Sequence, residues 1–111
     1  MFLGLDIGTS SVKAVLVDGE DRVVALSSRA LQVHRPAPGF SEQDPEDWVA
    51  ASMAAIDHLK EQAPAALAGV TGVGLSGQMH GAVLLDTNAQ VLRPAILWND
   101  GRADAECREL E

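Results

Sequence analysis

Apolar positions along this chain change their spacing twice, and each change marks a boundary between kinds of element. Phe2 to Ile7 and Val12 to Val17 are two nearly continuous apolar runs separated by Gly8-Thr9-Ser10-Ser11, the pattern of a β-hairpin. After the Asp18-Gly19-Glu20-Asp21 turn, Val23 to Val33 adds a third apolar stretch, so the opening third predicts a three-stranded antiparallel meander. The spacing then becomes helical. His34 to Phe40 reads as a loop, Asp44 as an N-cap, Pro45 as the first helical residue, and Glu46 and Asp47 put acids in the first turn. Trp48, Val49, Met53, Ile56 and Leu59 recur close to the 3.6-residue period and predict a core-facing stripe, with Pro64 marking the end. An Ala-rich connection follows. Val70 to Leu75 then reads as a buried strand, Ala82 to Asp86 as another, Thr87 to Gln90 as a turn, and Val91-Leu92 as the return.

Arg102 to Glu111 predicts a last helix, entered after Asn99-Asp100-Gly101. No Gly or Pro stop accompanies Leu110-Glu111, and so short a helix is marginal without a packing partner. The expectation is a piece of a longer protein.

Composition narrows the function classes. The 111 residues are 47% hydrophobic, enough for a real core, which argues against disorder. Sixteen acids against eight bases leave a net charge of −8 with no run of Lys or Arg, so a nucleic-acid partner is not expected. Cys107 is the single cysteine, which excludes an internal disulfide, and no C-x-x-C spacing offers a structural zinc site. No segment approaches the apolar length of a membrane span and no secretory leader pattern opens the chain; a cytoplasmic protein is expected. The sequence leaves the oligomeric state open, a homodimer included.

Three polar clusters carry candidate chemistry. In Asp6-Ile7-Gly8-Thr9-Ser10-Ser11-Val12-Lys13, glycine permits close backbone approach to an anion, hydroxyls and N–H groups donate to its oxygens, and an acid at the strand end suits hydrated Mg²⁺. An ordinary hairpin turn has the same composition. Ser76-Gly77-Gln78-Met79-His80-Gly81 brackets polar side chains with glycines at a strand end, where α/β sheets present ligand groups; a structural turn is the alternative. Trp98-Asn99-Asp100-Gly101-Arg102 combines an aromatic, an amide, a carboxylate and a guanidinium, an inventory suited to a polyol, or equally a helix entry capped by Asp100. Gly72-Val73-Gly74-Leu75-Ser76-Gly77 matches G-x-G-x-x-G literally. Its first two glycines lie inside the apparent strand and β-like residues follow, so it does not read as a dinucleotide fingerprint. Neither a P-loop nor a nucleophile elbow is present.

Taken in order, the Asp6–Lys13 segment, Ser41-Glu42-Gln43-Asp44-Pro45-Glu46-Asp47-Trp48, Gly77-Gln78-Met79-His80-Gly81 and Leu97-Trp98-Asn99-Asp100-Gly101-Arg102 resemble the FGGY carbohydrate kinases over the whole chain. That resemblance implies an α/β fold of the ribonuclease-H-like, actin/hexokinase/Hsp70 type, with residues 1–111 as the N-terminal part of the first domain and a mixed sheet flanked by helices. It implies ATP and Mg²⁺ as cofactors and transfer of the γ-phosphoryl group to D-xylulose, giving D-xylulose 5-phosphate and ADP. Other members act on ribulose, fuculose, rhamnulose or glycerol, and a non-catalytic sugar-sensing or actin-like module is the reading from another class. Asp6 would be the catalytic, Mg²⁺-positioning acid, and Gly8, Thr9, Ser10 and Lys13 would lie near the ATP phosphates. Met79 and His80 would line the sugar pocket, with Gln78, Trp98, Asn99, Asp100 and Arg102 beside it. The family's general-base aspartate and its adenine site have no counterpart among these residues, so the piece alone is expected to be inactive.

Overall fold

The computed structural model describes residues 1–110. Strands β1 (Phe2–Ile7), β2 (Ser11–Val17) and β3 (Val23–Ala30) form the expected meander, both pairings antiparallel. The third strand stops at Ala30 rather than running on to Val33. Beyond the two-residue strand β4 (Glu42–Gln43), helix α1 (Pro45–Gln62) begins at the predicted proline with Glu46 and Asp47 in its first turn. The Ala-rich connection proves to be a short helix, α2 (Pro64–Ala68), in which Pro64 opens a new element as well as closing the previous one. Strand β5 (Gly72–Gly77) follows, then β6 (Ala95–Ile96) and helix α3 (Asp104–Leu110).

The chain divides into two compact units. The first, Met1–Leu31 with Glu46–Gln78, holds a four-stranded sheet of order β3-β2-β1-β5, in which β5 runs parallel to β1. Register places Leu3, Leu5, Ala14, Leu16 and Ala25 on one face. There Leu3, Ala14, Leu16 and Ala25 bury themselves with Ala55 and Leu59 of α1, and Met1, Leu5, Ile56, Ala63, Ala66, Leu67 and Val70 pack around them. The helix face keeps Ile56 and Leu59 of the predicted stripe but not all of it. Val49 and Met53 are exposed, and Ala55 and Leu59 are the fully buried positions. Ala55, Ile56 and Leu59 are the α1 side chains that meet the sheet, the small Ala55 letting the helix approach it closely. Ser27 and His58 share this interface through a 3.2 Å Oγ–Nδ1 hydrogen bond.

β5 also departs from expectation. It ends the sheet, and Val73 and Leu75 are 60% and 74% exposed where a buried strand was predicted.

The second unit, Gln32–Pro45 with the residues from Met79 onward, is built on shorter pairings. β4 and β6 pair antiparallel, and isolated bridges join His34 to Glu42 and Ala82 to Ile96. The predicted hairpin over 82–92 reduces to one bridge, Leu85 with Val91, closed by hydrogen bonds from Asp86 N–H to Gln90 and Leu92 N–H to Leu84. Asp86 holds its turn by accepting from the N–H groups of Asn88 and Gln90. Ala95 and Leu97 are buried here together with Ser41 and Gln43.

Candidate functional site

In the first unit the face opposite α1 carries the first cluster. Register aligns Ser28, Lys13, Asp6 and Ser76 across all four strands, near the carboxyl ends of β1 and β5. Residues facing each other across neighbouring strands lie within side-chain reach. Asp6 and Lys13 are both exposed, and no ion pair within 4.0 Å joins them among the described residues. A carboxylate and an ammonium therefore stand side by side in solvent, next to the turn that follows β1. Ser76, read in the sequence as part of the second cluster, belongs to this row, a placement with no local trace because it rests on a parallel pairing across seventy residues.

The turn itself is tight. Gly8 N–H donates to Ser11 O at 3.0 Å, and a Cβ on Gly8 would come within 3.1 Å of that same oxygen. Gly77 is similarly pressed, a Cβ there lying 3.1 Å from Ile7 O. Both glycines thus answer to close backbone approach. Ser10 is exposed at the tip, and its carbonyl accepts from Leu31 N–H.

Gln78 joins this cluster. Its N–H donates to Ile7 O at 2.9 Å, extending the β1–β5 ladder by one residue, and Thr9 Oγ1 donates to its Oε1 at 3.0 Å. The amide expected to face a sugar is therefore bonded to the hydroxyl expected to face a phosphate. No helix opens directly after β5, so the G-x-G-x-x-G match does not have the geometry of a dinucleotide site.

The second unit holds the remaining candidates. Met79 and His80 are exposed, and His80 adopts φ of 64°, a left-handed backbone that a side chain rarely occupies. Strain of about 1–3 kcal/mol at such a residue tends to cluster at ligand-binding positions. Trp98 is 55% exposed and Asn99 is exposed beside it.

Asp100 and Arg102 are placed differently. The Asp100 side chain is 1% exposed; its Oδ1 and Oδ2 accept from Arg102 Nε and Nη2 at 2.8 and 2.7 Å, and the backbone N–H groups of Arg102 and Ser41 donate to it as well. The Arg102 guanidinium, above all, holds the Asp100 carboxyl well below the usual carboxylate range; burial opposes this, and the two N–H donors add to it. Arg102 is held the more firmly protonated in return. Its other arm reaches Glu42 Oε1 at 2.7 Å, and its guanidinium lies 3.9 Å over the Phe40 ring. Ser41, Glu42 and Phe40 were not foreseen in this role, since an acid in a two-residue strand and an aromatic sixty residues away carry no local signal.

The chain has known counterparts. The profile of the FGGY family of carbohydrate kinases, N-terminal domain, matches residues 1–111. A xylulose kinase of Klebsiella pneumoniae is 53% identical over all 111 residues, which span 23% of that protein, and one of Escherichia coli (strain K12) is 50% identical over 22% of its length. Among solved structures, a xyloylose kinase from Brucella ovis superposes with a TM-score of 0.95 at 53% identity, covering 97% of this chain and 23% of that one. A xylulose kinase from Rhodospirillum rubrum gives 0.93 at 41% identity, again over 97% of this chain and 22% of the other. The chain thus spans less than a quarter of the length of these relatives. Its mixed sheet with flanking helices has the fold of their actin/hexokinase-type ATPase domains. With the whole of its length matched and its two halves built as these relatives are, the chain belongs to the FGGY family of carbohydrate kinases.

Proposed function

We propose that residues 1–111 are the N-terminal part of the first domain of an ATP-dependent kinase that phosphorylates D-xylulose. The observation that carries this reading is the alignment of Asp6 with Lys13 beside the tight Gly8–Ser11 turn, exposed charge of both signs next to a turn with an exposed hydroxyl, Ser10, at its tip. That arrangement fits a metal–phosphate group: an accessible carboxylate for hydrated Mg²⁺ and an ammonium for phosphate oxygens. Asp6 would hold the ion through water, and the bound ion would neutralise charge on the transferring phosphoryl group.

The residues of this chain then have separable tasks. Gly8 lets backbone approach the phosphates, Ser10 offers a hydroxyl, and Lys13 adds positive charge. Thr9 donates its one hydroxyl proton to Gln78, so toward a ligand it acts as an acceptor. Met79, His80, Trp98 and Asn99 present an apolar and polar surface to a pentulose, the substrate named for the relatives at 53% and 50% identity. Phosphoryl transfer rests on positioning and electrostatic stabilisation, and these groups supply both. The base that takes the sugar's proton and the adenine site would come from the rest of the whole protein.

ADP release by the whole protein with MgATP, measured against D-xylulose, D-ribulose, L-ribulose and glycerol at equal concentration, tests the reading. Preference for D-xylulose supports it. Preference for another acceptor moves the substrate assignment within the family, and sugar binding without ADP release favours a sensing module.

A further inference from the structure

Asp100 and Arg102 have little capacity left for a ligand. An ionised carboxylate offers about four lone-pair sites, and Asp100 receives four donors, all from the protein. Arg102 divides its guanidinium between Asp100 and Glu42 and lays its face on Phe40. Glu42 is in turn shared, its Oε1 also receiving Arg93 Nη2 at 3.2 Å. Backbone bonds tie the same two segments together: Gly101 N–H to Gly39 O at 2.8 Å, and Leu97 N–H to Ser41 O at 3.0 Å. Ser41 is fully buried in this seam, its Oγ without a hydrogen-bond partner. Between the anchor points at Leu97 and Asp100, the side chains of Trp98 and Asn99 are exposed.

We propose that Asp100 is a positioning residue: with Arg102, Glu42 and Phe40 it clamps the 97–102 turn onto segment 39–43, so that the turn presents Trp98 and Asn99 to the sugar. The sugar part of this inference rests on the kinase reading; the clamp itself does not. Asp100 acts through the turn and touches no substrate. A bidentate carboxylate–guanidinium pair suits the task because its planar geometry fixes orientation as well as distance. The shared Glu42 extends the hold to the strand that precedes α1.

The test is made on the whole protein. Asp100→Asn keeps the shape and removes the charge, and is expected to raise the KM for D-xylulose about tenfold while kcat and the KM for ATP change less than twofold. Trp98→Ala combined with Asn99→Ala should raise the same KM, and adding Asp100→Asn should make it no worse, because Asp100 acts only through those two side chains. Independent, additive losses would overturn the proposal and return Asp100 to direct contact. An unchanged KM with a lowered melting temperature would reduce it to a structural pair. Glu42→Gln, which loosens only the outer arm, serves if Asp100→Asn does not fold: a smaller KM rise in the same direction is expected, and none would overturn the proposal. Amide hydrogen exchange reads the clamp without any sugar. Faster exchange confined to 39–43 and 97–102 in either variant supports it and unchanged exchange refutes it, whether or not the wild type turns over D-xylulose.

Discussion

The Thr9–Gln78 hydrogen bond allows the sharpest quantitative test, because it couples the side chains of two motifs 69 residues apart. Thr9→Val keeps the branched shape and removes the donor; Gln78→Leu removes the acceptor. The bond is neutral, partly buried and 3.0 Å long, so its net contribution should be about 0.5–1.5 kcal/mol. Urea unfolding of the wild type, both single variants and the double variant closes a cycle. Each single variant should lose close to what the double variant loses, leaving a coupling of about 1 kcal/mol, roughly fivefold in the folding equilibrium. A parallel cycle on steady-state kinetics should place the coupling in the ATP parameters, since Thr9 lies in the turn proposed to face the phosphates. Losses that add to within about 0.3 kcal/mol would refute the argument that the bond is a shared interaction. Coupling in the D-xylulose KM alone would show that Gln78 faces the sugar, as its neighbours Met79 and His80 are proposed to do.

Further outcomes follow from the same geometry. Asp6→Ala should lower turnover by several orders of magnitude with little change in sugar affinity, measured by coupled ADP release; near-normal turnover removes Asp6 from the metal–phosphate role. His80→Ala should raise the KM for D-xylulose with the unfolding midpoint almost unchanged, and isothermal titration with the sugar checks it independently of turnover. Leu59→Ala should cost about 2–5 kcal/mol, because Leu59 is fully buried between α1 and the sheet; a loss under about 1 kcal/mol in urea unfolding would contradict that packing. The pH dependence has a definite sign. Asp100 titrates lower folded than unfolded, so its contribution is complete above about pH 4 and is lost as pH falls through the folded value. Thermal melts from about pH 6 to about pH 3 should therefore show a steeper acid limb in the wild type than in Asp100→Asn.

Local signals made the hairpin, the start of α1 and the Gly8–Ser11 turn legible, since each depends on residues within a few positions of one another. β4 and β6 were invisible because two-residue strands have no periodicity, and α2 was hidden by its own proline. The stripe on α1 was legible at Ile56 and Leu59 but not at Val49 and Met53, which score as core by hydropathy yet are exposed, while Ala55 takes a buried position. The site divides the same way. Asp6 and its turn could be read from eight consecutive residues, whereas Ser76 beside Asp6, Thr9 on Gln78 and Glu42 on Arg102 are pairings that only the folded chain creates.

The open side of β5 bears on how this polypeptide behaves in the test tube. Val73 and Leu75 sit on a terminal strand whose outer backbone edge pairs with no strand among the described residues. Such an edge is a template for any extended chain of matching length, and lysine, proline or a bulge, the usual deterrents, are missing from Gly72–Gly77. Residues 1–111 produced in isolation would meet their own copies edge to edge, and would self-associate increasingly as concentration rises despite a charge of −8. In a longer polypeptide, an additional strand or a covering helix laid on β5 would remove this liability.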